Sequence, residues 1–424
     1  MTEPDPITQL VQRQYELYPY PDLDPNDMPR GTTITSDLYF LTQFLWGGRK
    51  KRNELRVLDA GCGTGAPSVQ AAMSAPGAKV IGIDLSETSL DRSRKRSARL
   101  GVANVEYLQL PIQRVGELGI TFDYIISSGV LHHLPDPVEG LSALRDVLAP
   151  DGVMSIMLYG AHGRVGIYML QRAMRLLGDA DKPIEWHVDL ARRLFRSTPP
   201  WFPTYPPAYG FELKPGNDGG IVDLLLHVQD RPYTVDGIFD FAEAAGMRFH
   251  SWLMPWEYEA ERYVRDPQLL EMLPKMPARD RYAIAELMHG ALNKHSFFLV
   301  RPEFEPPDVS IEDGHWRGLR AMLTNFLMWW DPIRKPAEGK TVVPCAVSEV
   351  GQLALELNNW QSAMMLAVSQ RKGTLGDIAE LSEVKRHMLS GPRQQREIAV
   401  EGFLRELLRF RGVSLLEEGR DYDD

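Results

Sequence analysis

Residues 57–65, VLDAGCGTG, followed by residues 81–86, IGIDLS, decide the fold of this chain. Each run is an apolar stretch that stops at a polar or glycine-rich end, which is typical of two successive strands in a nucleotide-binding sheet. Three glycines at alternate positions allow the backbone to turn tightly against a ligand: Gly61, Gly63 and Gly65. The helix predicted to start at Ala66 would point its N-terminal amides at that ligand.

An acid ends the second predicted strand, and the glycine spacing separates two classes of protein. Asp84 follows the glycine turn by about 20 residues, the separation at which a carboxylate accepts hydrogen bonds from ribose hydroxyls. A dinucleotide-binding turn has the spacing G-x-G-x-x-G for a pyrophosphate, whereas here Asp59 precedes G-x-G-x-G. Hydride transfer with a dinucleotide is therefore disfavoured.

The two motifs, in this order and at this distance, resemble the first two motifs of the class I S-adenosylmethionine (SAM)-dependent methyltransferases. The resemblance implies that the glycines approach the methionine part of SAM and that Asp84 holds the ribose. It also implies a set of cofactor-binding residues within the two motifs: Asp59, Gly61, Cys62, Gly63, Gly65, Asp84, Leu85 and Ser86. A glycine-rich turn in an unrelated α/β protein is the alternative interpretation.

A third segment, residues 122–134, has the sequence FDYIISSGVLHHL and indicates a buried strand that runs into a polar end. Ligands of open parallel sheets lie beyond the carboxyl ends of the strands, so five residues here should border the cleft: Ser127, Ser128, Gly129, His132 and His133. A helix over 137–148 and a strand over 153–159 are predicted to follow. The whole run resembles the later motifs of the same family, particularly its ubiquinone-biosynthesis-type and small-molecule branches.

The chain departs from the family pattern after the strand predicted over 105–108. Many relatives have an acid or a polar pair there, which accepts a hydrogen bond from the adenine amino group, whereas this chain has Gln109, Leu110 and Pro111. A glutamine carbonyl can accept the same bond without charge, so we assign Gln109 and Leu110 to the cofactor site. A strand-end turn residue is the alternative role for Gln109.

The composition limits the number of domains and the kinds of partner that this protein can be expected to have. The 424 residues suggest two to three domains, and an apolar fraction of 44% is enough for a sizeable core. A net charge of −10 disfavours a protein that grips phosphate backbones, so nucleic acid is not the expected partner. The helix after Asp84 should carry a basic cluster on its solvated outer face: Arg92, Arg94, Lys95, Arg96 and Arg99. The sequence has only two cysteines, so no disulfide scaffold is expected. It has no run of about 18 apolar residues, so no membrane span is expected. We therefore predict a cytoplasmic protein.

The expected fold is α/β: a Rossmann-like, seven-stranded class I methyltransferase sheet with helices on both faces, plus a mainly helical C-terminal domain. We predict an N-terminal arm over 1–35, the methyltransferase domain over 36–302 and the C-terminal domain over 303–424. A helix over 38–46 should pack before the first strand, and the sixth and antiparallel seventh strands should fall at 247–254 and 296–300. An insertion at about 160–232, which contains a proline-rich and aromatic stretch, is expected to cover the substrate, with an oligomer contact as the alternative.

Candidate acceptor-site residues come from the arm, from the end of the fifth strand and from a polar segment at 223–231. Three tyrosines are candidate lid residues, because such arms close over cofactor and substrate in many methyltransferases, with surface packing as the alternative: Tyr15, Tyr18 and Tyr20. His227 has carboxylates near it and could remove a proton from an O–H or N–H nucleophile, unless the segment is a capped, solvated turn. We expect one of His132 and His133 to face the cleft and the other to be structural. Tyr159 and Asp230 complete the substrate candidates.

These motifs favour transfer of a methyl group from SAM to a small-molecule or peptide acceptor. The sequence has no zinc-ligand spacing, serine-nucleophile elbow or Walker loop, so no metal is expected. A non-catalytic SAM-binding regulator and a nucleic-acid methyltransferase stay open as alternatives. The C-terminal domain has a helix predicted over 316–330 and later segments that loosely resemble a winged helix. Acidic residues are widespread there, so we expect it to bind a peptide or to self-associate into a homo-oligomer.

Overall fold

The computed structural model describes residues 5–21, 34–179, 181–204, 209–210, 212–323, 341–348, 351–386, 388, 393–409 and 413–420. These residues form two compact units. Apart from the gaps just given, the first unit comprises residues 5–21, 55–253 and 257–304, and the second comprises residues 34–54, 254–256 and 305–420. Residues 34–54 thus group with the C-terminal part of the chain, whereas the predicted boundaries place most of them with the methyltransferase domain. Those boundaries stay a prediction.

The strands are β1 (Arg56–Ala60), β2 (Lys79–Asp84), β3 (Val105–Gln109), β4 (Phe122–Ser128), β5 (Leu148–Tyr159), β6 (Arg248–Trp252), β7 (Lys294–Val300), β8 (Arg320–Leu323), β9 (Thr341–Ser348), β10 (Gly351–Leu357) and β11 (Val413–Leu416). The helices are α1 (Pro6–Leu17), α2 (Leu38–Trp46), α3 (Ala66–Ser74), α4 (Glu87–Arg99), α5 (Pro137–Asp146), α6 (Val165–Leu177), α7 (Ile184–Arg196), α8 (Asp218–Leu225), α9 (Val235–Ala244), α10 (Pro267–Met272), α11 (Ala278–His289), α12 (Asn359–Ser369), α13 (Leu375–Glu380), α14 (Ser382–Lys385) and α15 (Arg393–Arg409).

The first unit is built on a seven-stranded sheet in the order β3-β2-β1-β4-β5-β7-β6. The first five strands are parallel, and β7 lies antiparallel between β5 and β6. The central strands are nearly continuous buried runs, as expected when helices cover both faces of a parallel sheet. The predicted fold class, including the antiparallel seventh strand, is confirmed.

The carboxyl ends of β1, β2 and β4 meet at one edge of the sheet because these strands are parallel neighbours. Beyond β1 the chain passes through Gly61 and Gly63, with φ angles of +78° and +52°, and enters α3 after Gly65 at φ +80°. A side chain at any of these positions would strain the turn. The glycine turn is therefore fixed next to the ends of the neighbouring strands.

The insertion after β5 has an apolar core of its own. It is formed by α6, α7 and α8 and includes Ile167, Phe195 and Ile221, all at least nine-tenths buried. Tyr18 of the N-terminal arm packs against this core. Part of the predicted proline-rich cover, residues 205–208, lies outside the described residues.

The outer-face prediction for the basic cluster is wrong for Arg96. This side chain is 1% exposed, and its Nη1 donates to the Thr64 carbonyl oxygen at 2.6 Å. A buried guanidinium needs such acceptors, and this hydrogen bond links α4 to the glycine turn. By contrast, Arg94, Lys95 and Arg99 are exposed as predicted.

The second unit combines α2 and α12–α15 with two antiparallel strand pairs, β9–β10 and β8–β11. The helix predicted over 316–330 is wrong at 320–323, where β8 pairs with β11. Apolar residues at helical spacing favoured a helix, but a partner strand about ninety residues away supplies the backbone hydrogen bonds instead. Residues 324–330 lie outside the described part. Within the described residues, no helix is long and apolar enough to cross a membrane.

Candidate functional site

A cavity of about 490 Å³ opens at the carboxyl edge of the sheet, within the first unit. Part of its wall comes from residues of the two glycine-turn motifs and neighbouring strand ends: Asp59, Gly61, Cys62, Gly63, Asp84, Leu85, Leu110, Ser128 and Gly129. Another part comes from the arm, from the segment after β4, from the end of β5 and from the insertion: Tyr15, Tyr20, His133, Tyr159, Arg164, Glu212 and Asp223. The structure therefore brings most of the predicted cofactor residues to the same space as several predicted acceptor residues.

Asp84 ties the end of β2 to the glycine turn. Its carboxylate accepts hydrogen bonds from the Gly63 amide at 2.8 Å and from the Ser86 amide at 2.9 Å. Burial raises the pKa of this carboxyl, although the backbone donors act in the opposite direction. The group is held in one orientation at the cavity wall, as the predicted ribose contact requires.

Asp59 is a second carboxyl in the wall and is only 2% exposed. It accepts a hydrogen bond from Ser68 Oγ at 2.5 Å. Burial, with a further contribution from the charge of Asp84, raises the pKa of Asp59 to about 7. Its charge therefore changes near neutral pH, which bears on the binding of a cation such as SAM.

Four predicted cofactor residues do not line the cavity. Gly65 precedes α3, the Ser86 side chain caps α4, and Ser127 is buried within the sheet. Gln109 is exposed, and its Nε2 donates to the Leu85 carbonyl oxygen at 2.9 Å. Near Leu110 the cavity is lined by Ile112 and Gln113, which the sequence analysis did not single out. The adenine contact of Gln109 stays a prediction.

The N-terminal arm contacts the glycine turn and α4. Burial acts to raise the pKa of Glu16, but the hydrogen bonds that it accepts from the Thr88 hydroxyl and from the amides of Thr88 and Glu87, at the start of α4, hold this pKa below the ordinary value. Thr64 Oγ1 donates to the Pro21 carbonyl oxygen at 3.0 Å. These contacts bring Tyr15 and Tyr20 to the cavity wall, whereas Tyr18 packs in the insertion core.

Asp223 joins the arm to the end of β5. It is 3% exposed and accepts hydrogen bonds from Tyr15 Oη at 2.8 Å and from Tyr159 Oη at 3.2 Å. Burial raises its pKa to about 6. In the sequence, Asp223 stands out only as the edge of a polar segment. Its position between the apolar pairs Ile221–Val222 and Leu224–Leu225 was the available signal, because an acid among apolar residues needs a buried partner.

His227 orients Tyr15 and does not line the cavity. Its Nδ1 accepts from the Gln229 amide at 3.0 Å, so the neutral ring carries its proton on Nε2, which lies 3.1 Å from Tyr15 Oη. Burial lowers the pKa of His227 to about 4. The segment is not a solvated turn, since His227 is only 6% exposed.

Of the paired histidines, His133 lines the cavity and His132 lies behind it. His133 Nδ1 is 2.6 Å from the Gln229 carbonyl oxygen and must donate to it, which leaves Nε2 with a lone pair. Burial holds the pKa of both rings well below the ordinary value, so both are neutral. His132 is fully buried, with its ring centroid 4.1 Å from that of Tyr159.

Asp230, a predicted substrate residue, is instead the partner of a buried arginine. Its carboxylate lies 3.3 Å from Arg164 Nη2, and Tyr168 and Gln171 also donate to it. Arg164 lines the cavity and stacks on Tyr159, with 3.6 Å between the guanidinium carbon and the ring centroid. Sequence reasoning missed Arg164 because its partner is 66 residues away.

Among the described residues, two groups bring potential metal-ligand atoms within 4.8 Å of one another: His132, His133 and Asp230, and His133, Asp223 and His227. In the first group Asp230 already faces Arg164. In the second, the rings of His133 and His227 are stacked, with centroids 3.8 Å apart and 21° between their planes. A metal bound in the plane of one ring would lie far from the plane of the other. Hydrogen bonding and stacking therefore describe both groups better than metal ligation.

Comparisons with known proteins agree with this geometry. A family model described as a methyltransferase domain matches residues 51–175. An uncharacterised protein of Synechococcus sp. is 30% identical over 325 residues, which cover 73% of this chain and 76% of that protein. The tRNA 5-carboxymethoxyuridine methyltransferase of Escherichia coli is 38% identical over 112 residues, which cover 26% of this chain and 42% of that enzyme.

Among solved structures, PKMT2 from Rickettsia typhi in complex with AdoHcy has a TM-score of 0.64 and 14% identity, covering 92% of this chain and 77% of that chain. This likeness shows a shared fold. Together, the sheet order, the glycine turn and the cavity define a Rossmann-like methyltransferase. The chain belongs to the class I SAM-dependent methyltransferase family, and SAM is its cofactor.

Proposed function

We propose that this methyltransferase acts on a small molecule or a peptide side chain whose nucleophilic atom enters the cavity beside Asp223. The observation that carries the proposal is the continuity of the cavity, whose wall includes both the glycine turn and the group formed by Tyr15, Asp223 and Tyr159. A sulfonium is a good leaving group, so the protein has chiefly to align the nucleophile with the methyl group. His133 lies in the same wall, and the lone pair on its buried Nε2 is a site for a proton that the nucleophile releases.

The charges of the cavity argue for this acceptor class over nucleic acid. Asp59, Asp84, Glu212 and Asp223 all lie in the wall, and carboxylates repel a phosphate backbone. The arm and the insertion both contribute to the wall, which suits an acceptor small enough to be covered. In this proposal Tyr15 and Tyr20 act as lid residues. The cytoplasmic location and the docking role of the C-terminal unit stay predictions.

The test is the transfer of labelled methyl groups from SAM into a host extract, which is then separated by size and treated with protease or nuclease. Label in the small-molecule or protease-sensitive fraction would support the proposal. Nuclease-sensitive label would contradict the acceptor class. The Asp59→Ala variant serves as the control for background, and label no higher than this control, in a wild-type protein that binds SAM, would favour a SAM-binding regulator.

A further inference from the structure

We propose that the acceptor is an amine, which enters the cavity as an ammonium cation. This inference rests on the proposed function and narrows its substrate class. It follows from the hydrogen-bonding groups, charges and aromatic rings of the cavity wall.

Unpartnered acceptors outnumber unpartnered donors among the described wall residues. Three acceptor atoms are buried there without a hydrogen-bond partner: Glu212 Oε2, Asn293 Oδ1 and His133 Nε2. Arg164 Nε is the one corresponding donor. These atoms are buried, and leaving a buried acceptor unsatisfied is unfavourable, so a ligand that donates to them after a small side-chain adjustment is favoured. An ammonium has several N–H donors, a hydroxyl has one, and a carboxylate has none.

The charges of the wall also favour a cation. Arg164 is neutralised by Asp230, which lies behind the wall, and Lys294 is exposed. The carboxylates of Glu212 and Asp223 interact with tyrosine hydroxyls, which carry no charge: Tyr20 Oη donates to Glu212 at 3.2 Å, and two tyrosines donate to Asp223. Arg164, the one buried cation among the described wall residues, is therefore outnumbered by the three carboxylates of Asp230, Asp223 and Glu212.

Aromatic rings complete a site for a cation. Tyr15 and Tyr20 line the cavity close to the two carboxylates, since Tyr15 donates a hydrogen bond to Asp223 and Tyr20 donates one to Glu212, whereas the ring of Tyr159 is already covered by Arg164. The faces of such rings attract ammonium groups through the negative potential above the ring. Carboxylates and aromatic rings in one cavity thus select an ammonium over a neutral group of the same shape.

The reaction balances with this substrate. The bound ammonium first loses a proton to an acceptor in the wall, such as His133 Nε2, and from there to solvent, and the adjacent sulfonium charge favours this loss. The amine lone pair then forms the new N–C bond while the methyl C–S bond breaks and its electron pair stays on sulfur. The products are a methylated ammonium and S-adenosylhomocysteine.

The test compares three probes of equal chain length: hexylamine, 1-hexanol and hexanoate. Their binding to the full chain saturated with S-adenosylhomocysteine is measured by calorimetry at pH 8. We expect hexylamine to bind at least about tenfold more tightly than 1-hexanol, and hexanoate to bind most weakly. Equal binding of hexylamine and hexanol, tighter binding of hexanoate, or no binding of hexylamine would overturn the inference.

Glu212→Gln keeps the shape of the side chain and removes its charge, so the preference for hexylamine over hexanol should fall by about tenfold. The matched control is Glu139→Gln, at an exposed carboxylate on α5 outside the cavity wall, which should leave the preference unchanged. An unchanged affinity for S-adenosylhomocysteine would show that both variants are folded. A Glu212→Gln variant that binds this cofactor product normally and keeps the full preference would refute the role of Glu212. If the labelled methyl group in the extract experiment is found only on hydroxyl acceptors, the proposed function stands and the inference of an amine acceptor is overturned.

Discussion

Replacement of Gly63 by alanine tests how closely the arm is fitted to the glycine turn. Gly63 has φ +52°, and a Cβ atom at this position would lie 2.6 Å from the Tyr20 carbonyl oxygen. The approach is to backbone, so it cannot be relieved by a side-chain rotation. Either the turn or the arm must move, and Tyr15 and Tyr20 would shift with the arm.

The expected cost has two parts. An alanine in the left-handed region costs about 1–2 kcal/mol relative to glycine. The close contact with Tyr20 adds about 1–3 kcal/mol, as is typical of an extra carbon in a packed site. If the close contact is relieved by movement of the arm, its free-energy cost should appear as weaker binding of S-adenosylhomocysteine, about tenfold for each 1.4 kcal/mol.

Gly101→Ala is the matched control. Gly101 has φ +66°, but nothing lies within 4 Å of a Cβ built there, so this variant isolates the backbone strain. Calorimetry gives the affinity for S-adenosylhomocysteine, and denaturant titration gives the free energy of unfolding. We expect both variants to lose stability and only Gly63→Ala to lose affinity. The reasoning fails if the two variants lose equal stability and Gly63→Ala binds like the wild type.

Three further predictions concern the cavity wall. Asp84→Ala should weaken SAM binding at least about tenfold, because its carboxylate holds the Gly63 and Ser86 amides; unchanged calorimetric affinity would contradict this role. SAM binding should weaken by roughly fivefold as the pH falls from 8 to 6. The pKa of Asp59 is raised to about 7, so this carboxylate is mostly ionised at pH 8 and mostly protonated at pH 6, and a protonated Asp59 no longer attracts the SAM cation. Asp59→Asn should flatten that profile, and an identical slope in the two proteins would count against it. His133→Gln should lower the single-turnover rate of methyl transfer by at least about tenfold and leave SAM affinity unchanged, whereas an unchanged rate would make His133 a structural residue.

Local signals were enough to predict the cofactor side of the molecule. The glycines after β1, the acid at the end of β2 and the apolar runs of the strands are each read from a few neighbouring residues, and the seven-stranded sheet with an antiparallel seventh strand followed from them. The helix predicted over 316–330 was wrong at 320–323 because a strand far along the chain competes for the same backbone groups. Arg96 was assigned to the surface because its buried acceptor, the Thr64 carbonyl oxygen, is 32 residues away.

The sequence by itself determined the class of protein, the cofactor and the position of the sheet edge at which ligands bind. Only the tertiary structure showed that Asp223 and Arg164 reach the cavity wall, that His133 lines it and that His227 supports Tyr15 instead. The physical reason is distance along the chain. Glycine turns and strand ends are set by adjacent residues, whereas Tyr15 and Asp223, which are 208 residues apart, meet only when the arm, the sheet and the insertion fold together.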